Sequence, residues 1–337
     1  MMDEKTSRLI NKACEGKTYI KLTVGTLDSD GTQTIKVFGA NGEIQNENYI
    51  YEIGSITKTF TASLFSKYIY EKKMTLDDRI SKYLDGLDSE KYYPTLERLA
   101  THTAGYPTYL PFTVWEGSKL MLGVLFGGKS QGILPFHMDL EKMKQIIREN
   151  MMEDKDYPWQ YSNFGMALLG YAIGTVSGEG YWKAMNDFLT NDLGLNHSYT
   201  GTTFDKNLRG FSKKNKDIGN WIWGEDLTAP AGDISSTASD LLEYARIHMY
   251  EEKPYLALCH QKHVSSKRLD MGLGWIMNKM NNSVLWHNGG TGAFRTLLAI
   301  DIEKKLAAVA LVNYPIFMDK IGLSVLENLQ NKKGLVA

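Results

Sequence analysis

Apolar and polar residues alternate or run β-branched over residues 20–26 and 32–39. Asp28-Ser29-Asp30-Gly31 lies between them, so the pair predicts a hairpin. Residues 49–53 add a short extended piece, and then the period changes. From Ser55 onward Phe60, Leu64, Phe65, Tyr68 and Ile69 recur at helical spacing to about Tyr70, with Ser55 or Thr57 near an N-cap position. Ahead of the hairpin, residues 3–14 predict a short helix with Leu9, Ile10 and Ala13 on one face. The stretch 76–225 reads as helix and loop, with helices over 141–149 and 164–176, the second stopped by Gly178. After Pro230 come a helix (237–250), strands over 274–278, 283–287, 294–300 and 307–313, and a last amphipathic helix over 316–329. Strands at both ends and helices between them predict an α+β fold: one antiparallel sheet closed by both termini (1–75 and 226–337) and an inserted all-helical domain (76–225). Short turns between the C-terminal strands disfavour a parallel sheet.

Composition narrows the function classes. Among 337 residues, 38 are Lys or Arg and 39 Asp or Glu, a net charge of -1. That balance leaves no electrostatic footprint for nucleic acid and no polybasic membrane anchor. The longest apolar run, 306–312, is strand-sized and far short of the ~18–20 residues that span a bilayer. The polar start shows no signal peptide, which as written implies the cytoplasm; a trimmed leader would imply the outside. Cys14 and Cys259 form no disulfide framework and no metal-ligand spacing, and read as inert thiols. His102, His137, His197, His248, His260 and His263 read as structural, and neither metal nor cofactor is expected. Aromatic residues cluster over 92–115 and 157–161, with Trp221 and Trp223 later; core packing accounts for most, and some are expected to line an apolar groove.

Three segments carry chemistry. In Gly54-Ser55-Ile56-Thr57-Lys58, a helix places Ser55 and Lys58 on one face, roughly 5–6 Å apart at Cβ. A serine hydroxyl becomes a nucleophile when an amine of lowered pKa takes its proton, and a helix N-terminus favours the developing alkoxide. Taken alone, the spacing fits a helix cap and a solvated lysine better. Tyr161-Ser162-Asn163 precedes an apolar helix: a phenol beside a lysine relays protons, and an Asn can bond the lysine and a substrate carbonyl. The plain alternative is a core tyrosine with an Asn N-cap. The third segment, His287-Asn288-Gly289-Gly290-Thr291-Gly292, follows a strand, and its glycines let backbone approach a ligand; a Gly-rich hairpin turn is the plain alternative.

In this order the three segments resemble the motifs of the penicillin-binding protein and serine β-lactamase superfamily. The Tyr-x-Asn second motif resembles its class C β-lactamase branch, which includes D-Ala-D-Ala carboxypeptidases, D-aminopeptidases and esterases. Further segments are similar too: Met74-Thr75-Leu76-Asp77-Asp78, the stretch from Leu99 through His102 to Tyr106, and the stretch from Pro230 through Asp233 to Leu241. The resemblance runs from about residue 49 to 313 and implies the β-lactamase/transpeptidase fold. It implies Ser55 as acylated nucleophile, Lys58 as proton acceptor or electrostatic support, and Tyr161 as general base for acylation and for the deacylating water. Asn163 would orient the substrate amide, and the N–H groups of Ser55 and Gly290, beside Gly289, would form the oxyanion hole.

His287 stands where the third motif carries lysine, which makes that charge pH-dependent, and Asn288 stands where a hydroxyl is usual. Both weaken the expectation of an efficient β-lactamase. Arg295 and Arg268 are read as surface ion pairs, with a substrate carboxylate as the alternative partner. The sequence therefore predicts a serine hydrolase on a small peptide, a β-lactam or an ester, nearest to a D-Ala-D-Ala carboxypeptidase or D-amino-acid peptidase. An esterase on small acyl esters is the alternative enzyme. A non-catalytic protein binding penicillin or peptidoglycan-like peptides is the alternative of another class. Oligomeric state is left open.

Overall fold

The computed structural model describes residues 3–106, 138–201, 207–221, 223–224 and 226–334. Helix α1 (Glu4–Cys14) leads into β1 (Leu22–Leu27), β2 (Gln33–Gly39), β3 (Gly42–Ile44) and β4 (Tyr51–Glu52). The helices α2 (Thr57–Tyr70), α3 (Leu96–Ala100), α4 (Leu140–Glu149), α5 (Asn163–Ser177) and α6 (Tyr181–Asp187) follow. Then come β5 (Ser235–Ser236), α7 (Ala238–Met249), α8 (Ala257–His260), β6 (Val264–Ser265), β7 (Asp270–Met271), β8 (Ile276–Asn278), β9 (Asn281–Gly290), β10 (Arg295–Asp301), β11 (Leu306–Val312) and α9 (Asp319–Gly334). Among the described residues one nine-stranded antiparallel sheet runs β3-β2-β1-β11-β10-β9-β8-β7-β6, while β4 and β5 pair separately. Strands β1 and β11 are neighbours, Leu22 opposite Val312, so both ends of the chain close the sheet as expected.

The strand β11 reads as a continuous apolar run because both its faces are covered. Leu306, Ala308, Ala310 and Val312 pack with Ile10, Leu22 and Ile321 under α1 and α9. Ala307, Val309 and Leu311 point the other way, into the core of α2, α5 and α7. That second core is continuous from the sheet through Phe60, Leu64 and Leu168. Each Leu or Ile it buries contributes roughly 1.5–3 kcal/mol against the unfolded chain.

Helix α2 lies inside this core, and its polar residues are buried with partners. Thr61 Oγ1 donates to the Pro230 carbonyl (2.8 Å) and bonds Tyr181 (2.7 Å), while Ser63 bonds Tyr244 (2.9 Å). The expected serine or threonine N-cap is absent: a 3₁₀ turn, Gly54–Ile56, enters α2 with no side-chain cap. Thr57 Oγ1 instead accepts from Ile234 N (3.0 Å), tying α2 to the segment before β5. Two boundaries differ from expectation. Strand β9 continues to Gly290, so His287 to Gly290 of the third motif lie within a strand and Thr291 and Gly292 follow it in the turn. Helix α9 starts at Asp319 rather than 316.

Glu52, in β4, is buried, and its Oε1 accepts from Trp221 N (2.9 Å). Its Oε2 and the Thr291 hydroxyl are both buried. Burial, opposed by hydrogen bonding from Thr291, the Trp221 backbone and Asn220, pushes the carboxyl up to about 7. A raised folded pKa means ionisation is penalised in the fold: the penalty is absent below the unfolded value of about 4.5, grows from there to about 7, and is full above it. Glu52→Gln is therefore expected to raise the thermal midpoint at pH 8 by several degrees relative to wild type, with the gap closing by pH 4.5. A gap that does not narrow between those pH values, in paired melts, would refute the assignment.

Candidate active site

The 3₁₀ turn carrying Ser55 abuts the end of β9, and two glycines make that contact possible. Gly54 has φ +55°, and a Cβ there would lie 2.5 Å from Gly290 N. A Cβ on Gly289 would lie 1.9 Å from the Ile53 carbonyl oxygen and 2.3 Å from Thr296 Oγ1. Thr296 Oγ1 donates to that same carbonyl (2.8 Å), pinning the turn to β10 as well. The glycines of the third motif thus serve close strand-to-turn docking, and Gly290 N–H comes beside Ser55. Gly289→Ala is expected to lower the unfolding midpoint by several degrees and to abolish labelling of Ser55. A variant with wild-type melting and labelling would contradict this packing.

Lys58 sits on the first turn of α2, with its side chain 0% exposed. Its Nζ lies 3.0 Å from Ser55 Oγ and donates to the Ala231 carbonyl at 2.5 Å. Burial holds this amine well below the usual lysine range. The Tyr161 ring lies 4.8 Å from Nζ, and its hydroxyl is hydrogen-bonded to Ser55. Burial raises the phenol above its ordinary value, with the Ser55 bond opposing. Ser55, Lys58 and Tyr161 therefore form one connected group. In such a group a neutral amine can accept a proton from a serine hydroxyl, and a protonated phenol can pass one on.

Asn163 opens α5 one residue after the N-cap, which is Ser162 rather than Asn163: Ser162 Oγ accepts from Gly165 N (3.0 Å). The Lys58 amine bonds Ser55 and the Ala231 carbonyl, so that carbonyl holds the position the sequence assigned to the Asn163 amide. Asn163 remains half-buried on the helix start next to Tyr161.

His287 is buried in β9, its Nδ1 2.6 Å from its neighbour's carbonyl, that of Asn288. Burial first, and Lys58 second, pushes it down to about 3, against the backbone bond. The pH-dependent charge expected at this position is thus removed by desolvation. The alternation of β9 turns Asn288 to the opposite face, where its Nδ2 donates to both Asp319 carboxylate oxygens (3.1 and 3.2 Å). If His287 is neutral throughout, His287→Gln should leave the shape of the activity profile between pH 5.5 and 7.5 unchanged. A step lost from that window on substitution would show that His287 titrates there.

Two groups at the site gave no side-chain signal in the sequence. One is the Ala231 carbonyl, a backbone atom. The other is His102, read as a turn residue. It sits at φ +61°, and its carbonyl accepts from Gln160 N (2.9 Å) while its Nδ1 accepts from Ser162 N (3.3 Å). These bonds bracket Tyr161, whose ring lies 4.7 Å from the imidazole. Its φ, rare outside glycine, is visible only in the backbone.

Trp221 and Trp223 are buried against each other and Ala229, as core packing predicts. Cys14 and Cys259 are buried, and burial pushes their thiols up to about 11 and about 12. His137 and Trp115 lie outside the described residues. No helix among the described residues is long and apolar enough to cross a membrane.

With this geometry in hand, comparison with known proteins is decisive for the family. A family profile described as Beta-lactamase matches residues 22–322. The chain belongs to the beta-lactamase family. Within it, a Beta-lactamase of Pseudomonas fluorescens is 28% identical over 241 residues, covering 68% of this chain and 61% of that protein. The D-alanyl-D-alanine-carboxypeptidase/endopeptidase AmpH of Escherichia coli is 22% identical over 320 residues, covering 84% and 77%. A class C beta lactamase from Rhodobacter sphaeroides shares the fold at TM-score 0.77 and 18% identity, covering 99% and 100%. The chain spans about three fifths of the length of the Pseudomonas relative. The family match bears out the α+β, β-lactamase/transpeptidase-like fold and the resemblance read from the motifs.

Proposed function

We propose that this beta-lactamase-family chain is a serine hydrolase that forms an acyl-enzyme on Ser55, nearest in activity to a D-Ala-D-Ala carboxypeptidase or D-amino-acid peptidase. The observation that carries the reading is the 3.0 Å approach of the buried Lys58 amine to Ser55 Oγ. A desolvated amine without its proton is the base that a serine hydroxyl requires. In acylation Ser55 gives its proton to Lys58 as Oγ attacks the carbonyl carbon. The oxyanion is received by the N–H groups of Ser55 and Gly290. Lys58 returns the proton through the Tyr161 phenol to the leaving nitrogen or oxygen, and the tetrahedral intermediate collapses to the acyl-enzyme. Deacylation repeats the sequence with water in the place of Ser55. The raised phenol favours Tyr161 as a relay rather than as a standing phenolate, and Lys58 as the group that holds the proton.

An esterase is the second reading, favoured by one observation: the neutral His287 and the engaged Asn288 leave the third motif without a cation for a substrate carboxylate. Intact Ser55, Lys58, Tyr161 and Asn163 speak against a binding protein without catalysis.

Intact-protein mass spectrometry after incubation with a fluorescent penicillin, beside a fluorophosphonate, tests the reading. An adduct on Ser55 that is absent from Ser55→Ala is the expected result, and fast penicillin turnover is excluded by following the free drug. A fluorophosphonate adduct alone favours the esterase. Neither adduct, with no drug turned over, overturns the hydrolase. Tyr161→Phe is expected to slow acylation about 10²–10⁴-fold, the size of general acid–base help. A loss under threefold would remove Tyr161 from the proton path.

A further inference from the structure

Helix α3 stops in a way that glycine normally serves. Thr103 N donates to the Arg98 carbonyl (2.9 Å) and His102 N to the Leu99 carbonyl (3.4 Å), a Schellman pair past the C-cap Thr101. That geometry puts His102 at φ +61°, where glycine sits without strain and histidine does not. The side chain adds a second cost. It is 2% exposed, and its Nδ1 accepts from Ser162 N (3.3 Å), so the neutral ring carries its hydrogen on Nε2. Nε2 is buried and meets no acceptor among the described residues, which leaves a donor unsatisfied. Burial first, then Lys58 and His287, holds the imidazole well below its ordinary pKa and so neutral.

A helix stop requires none of this, and backbone strain of this kind persists where it serves a site. What the histidine reaches is the loop that delivers Tyr161. Its carbonyl accepts from Gln160 N (2.9 Å) and its Nδ1 from Ser162 N, one bond on each side of Tyr161. Between those bonds the imidazole packs on the Tyr161 ring, with centroids 4.7 Å apart and planes tilted by 45°. Ser162 is held at both ends, its N–H by His102 and its Oγ by Gly165 N at the start of α5 (3.0 Å). The Tyr161 hydroxyl, bonded to Ser55, therefore extends from a ring that one residue fixes through both backbone neighbours and by direct packing.

We propose that His102 is a positioning residue: its Nδ1 and ring hold the Tyr161 phenol toward Ser55, and the turn carries histidine instead of glycine for that reason. This role rests on Tyr161 being the proton relay, and it places part of the site's support at the end of α3, outside the three motifs.

Glycine and asparagine both accept a positive φ, so His102→Gly and His102→Asn leave the helix stop intact. Asparagine also offers Oδ1 where Nδ1 now accepts from Ser162 N. Acylation is read as kcat/KM for phenyl acetate, whose phenolate leaving group takes the relayed proton. His102→Gly is expected to lower it about 10- to 100-fold, the size of effect that a displaced reacting group produces. His102→Asn should recover part of that loss. In a Tyr161→Phe background His102→Gly should cost less than about threefold more, because a residue acting through the phenol then has nothing to position. Equal losses in both backgrounds would show a general packing role and overturn the inference, as would wild-type kcat/KM in His102→Gly. A Tyr161→Phe variant as fast as wild type would count against the relay reading instead. Protein labelled with 3-fluorotyrosine gives a readout without turnover, the Tyr161 ¹⁹F line being identified by its loss in Tyr161→Phe. That line should broaden or split in His102→Gly, as the freed ring samples more than one place, and sharpen again in His102→Asn. A line as sharp in the glycine variant as in wild type overturns the inference, whether or not the ester is turned over.

Discussion

The arrangement depends on a buried lysine. Lys58 has no access to water, and its resolved bonds go to Ser55 and to one carbonyl, Ala231. An ammonium in that position would lose most of its hydration for one good acceptor and the face of one aromatic ring, so the neutral amine is favoured. Nearly everything around α2 maintains that dryness. The helix is enclosed by the sheet, α5 and α7, and its other polar residues are bonded to fixed partners, so water is not needed to satisfy them. A polar helix packed this way is costly in desolvation, and its many hydrogen bonds offset that cost.

Placement of Ser55 follows from sheet closure. Because β1 pairs with β11, the sheet is assembled from both ends of the sequence, and the helices lie between two halves that must meet. They meet at the turn before α2. There Ile53 accepts from Thr296, and Gly289 leaves room for its carbonyl. Ile53 N also donates to Ile234, which joins β4 to the segment bearing Ala231. One short stretch thus registers Ser55 against β9, against β10 and against the carbonyl that holds Lys58. A slip in any of the three separates Ser55 from Lys58, which makes the site sensitive to packing far more than to surface chemistry.

Much of this was legible in the sequence, for reasons that differ by element. Long periodic stretches were readable: α5 and β11 carry enough residues for their pattern to stand out, and α2 was found by its apolar spacing although most of its residues are buried. Short pieces such as β5, β6 and α8 carry two to four residues and no period, so only pairing partners reveal them. The family and the fold followed from motif order. The site was legible as residue types but not as geometry. Alternation along β9 puts His287 and Asn288 on opposite faces, which a motif read as a linear string conceals. Likewise the charge of His287 depends on burial, and the Ala231 carbonyl is a backbone atom that no side-chain pattern can announce.

The electrostatics of the pocket follow from the same dryness. With Lys58 held low, Tyr161 held protonated, and His102 and His287 both pushed well below their ordinary value, the groups closest to Ser55 are neutral before reaction. The two imidazoles are driven down mainly by burial and also by the lysine, so protonating any one of the three disfavours the others. A developing oxyanion in such a site is met by backbone dipoles and by the proton arriving on Lys58, not by a standing charge. Positive charge then appears next to Ser55 only while negative charge is forming on the substrate. A permanent lysine in the third motif would disturb that order by depressing Lys58 further through space. Neutral His287 avoids this.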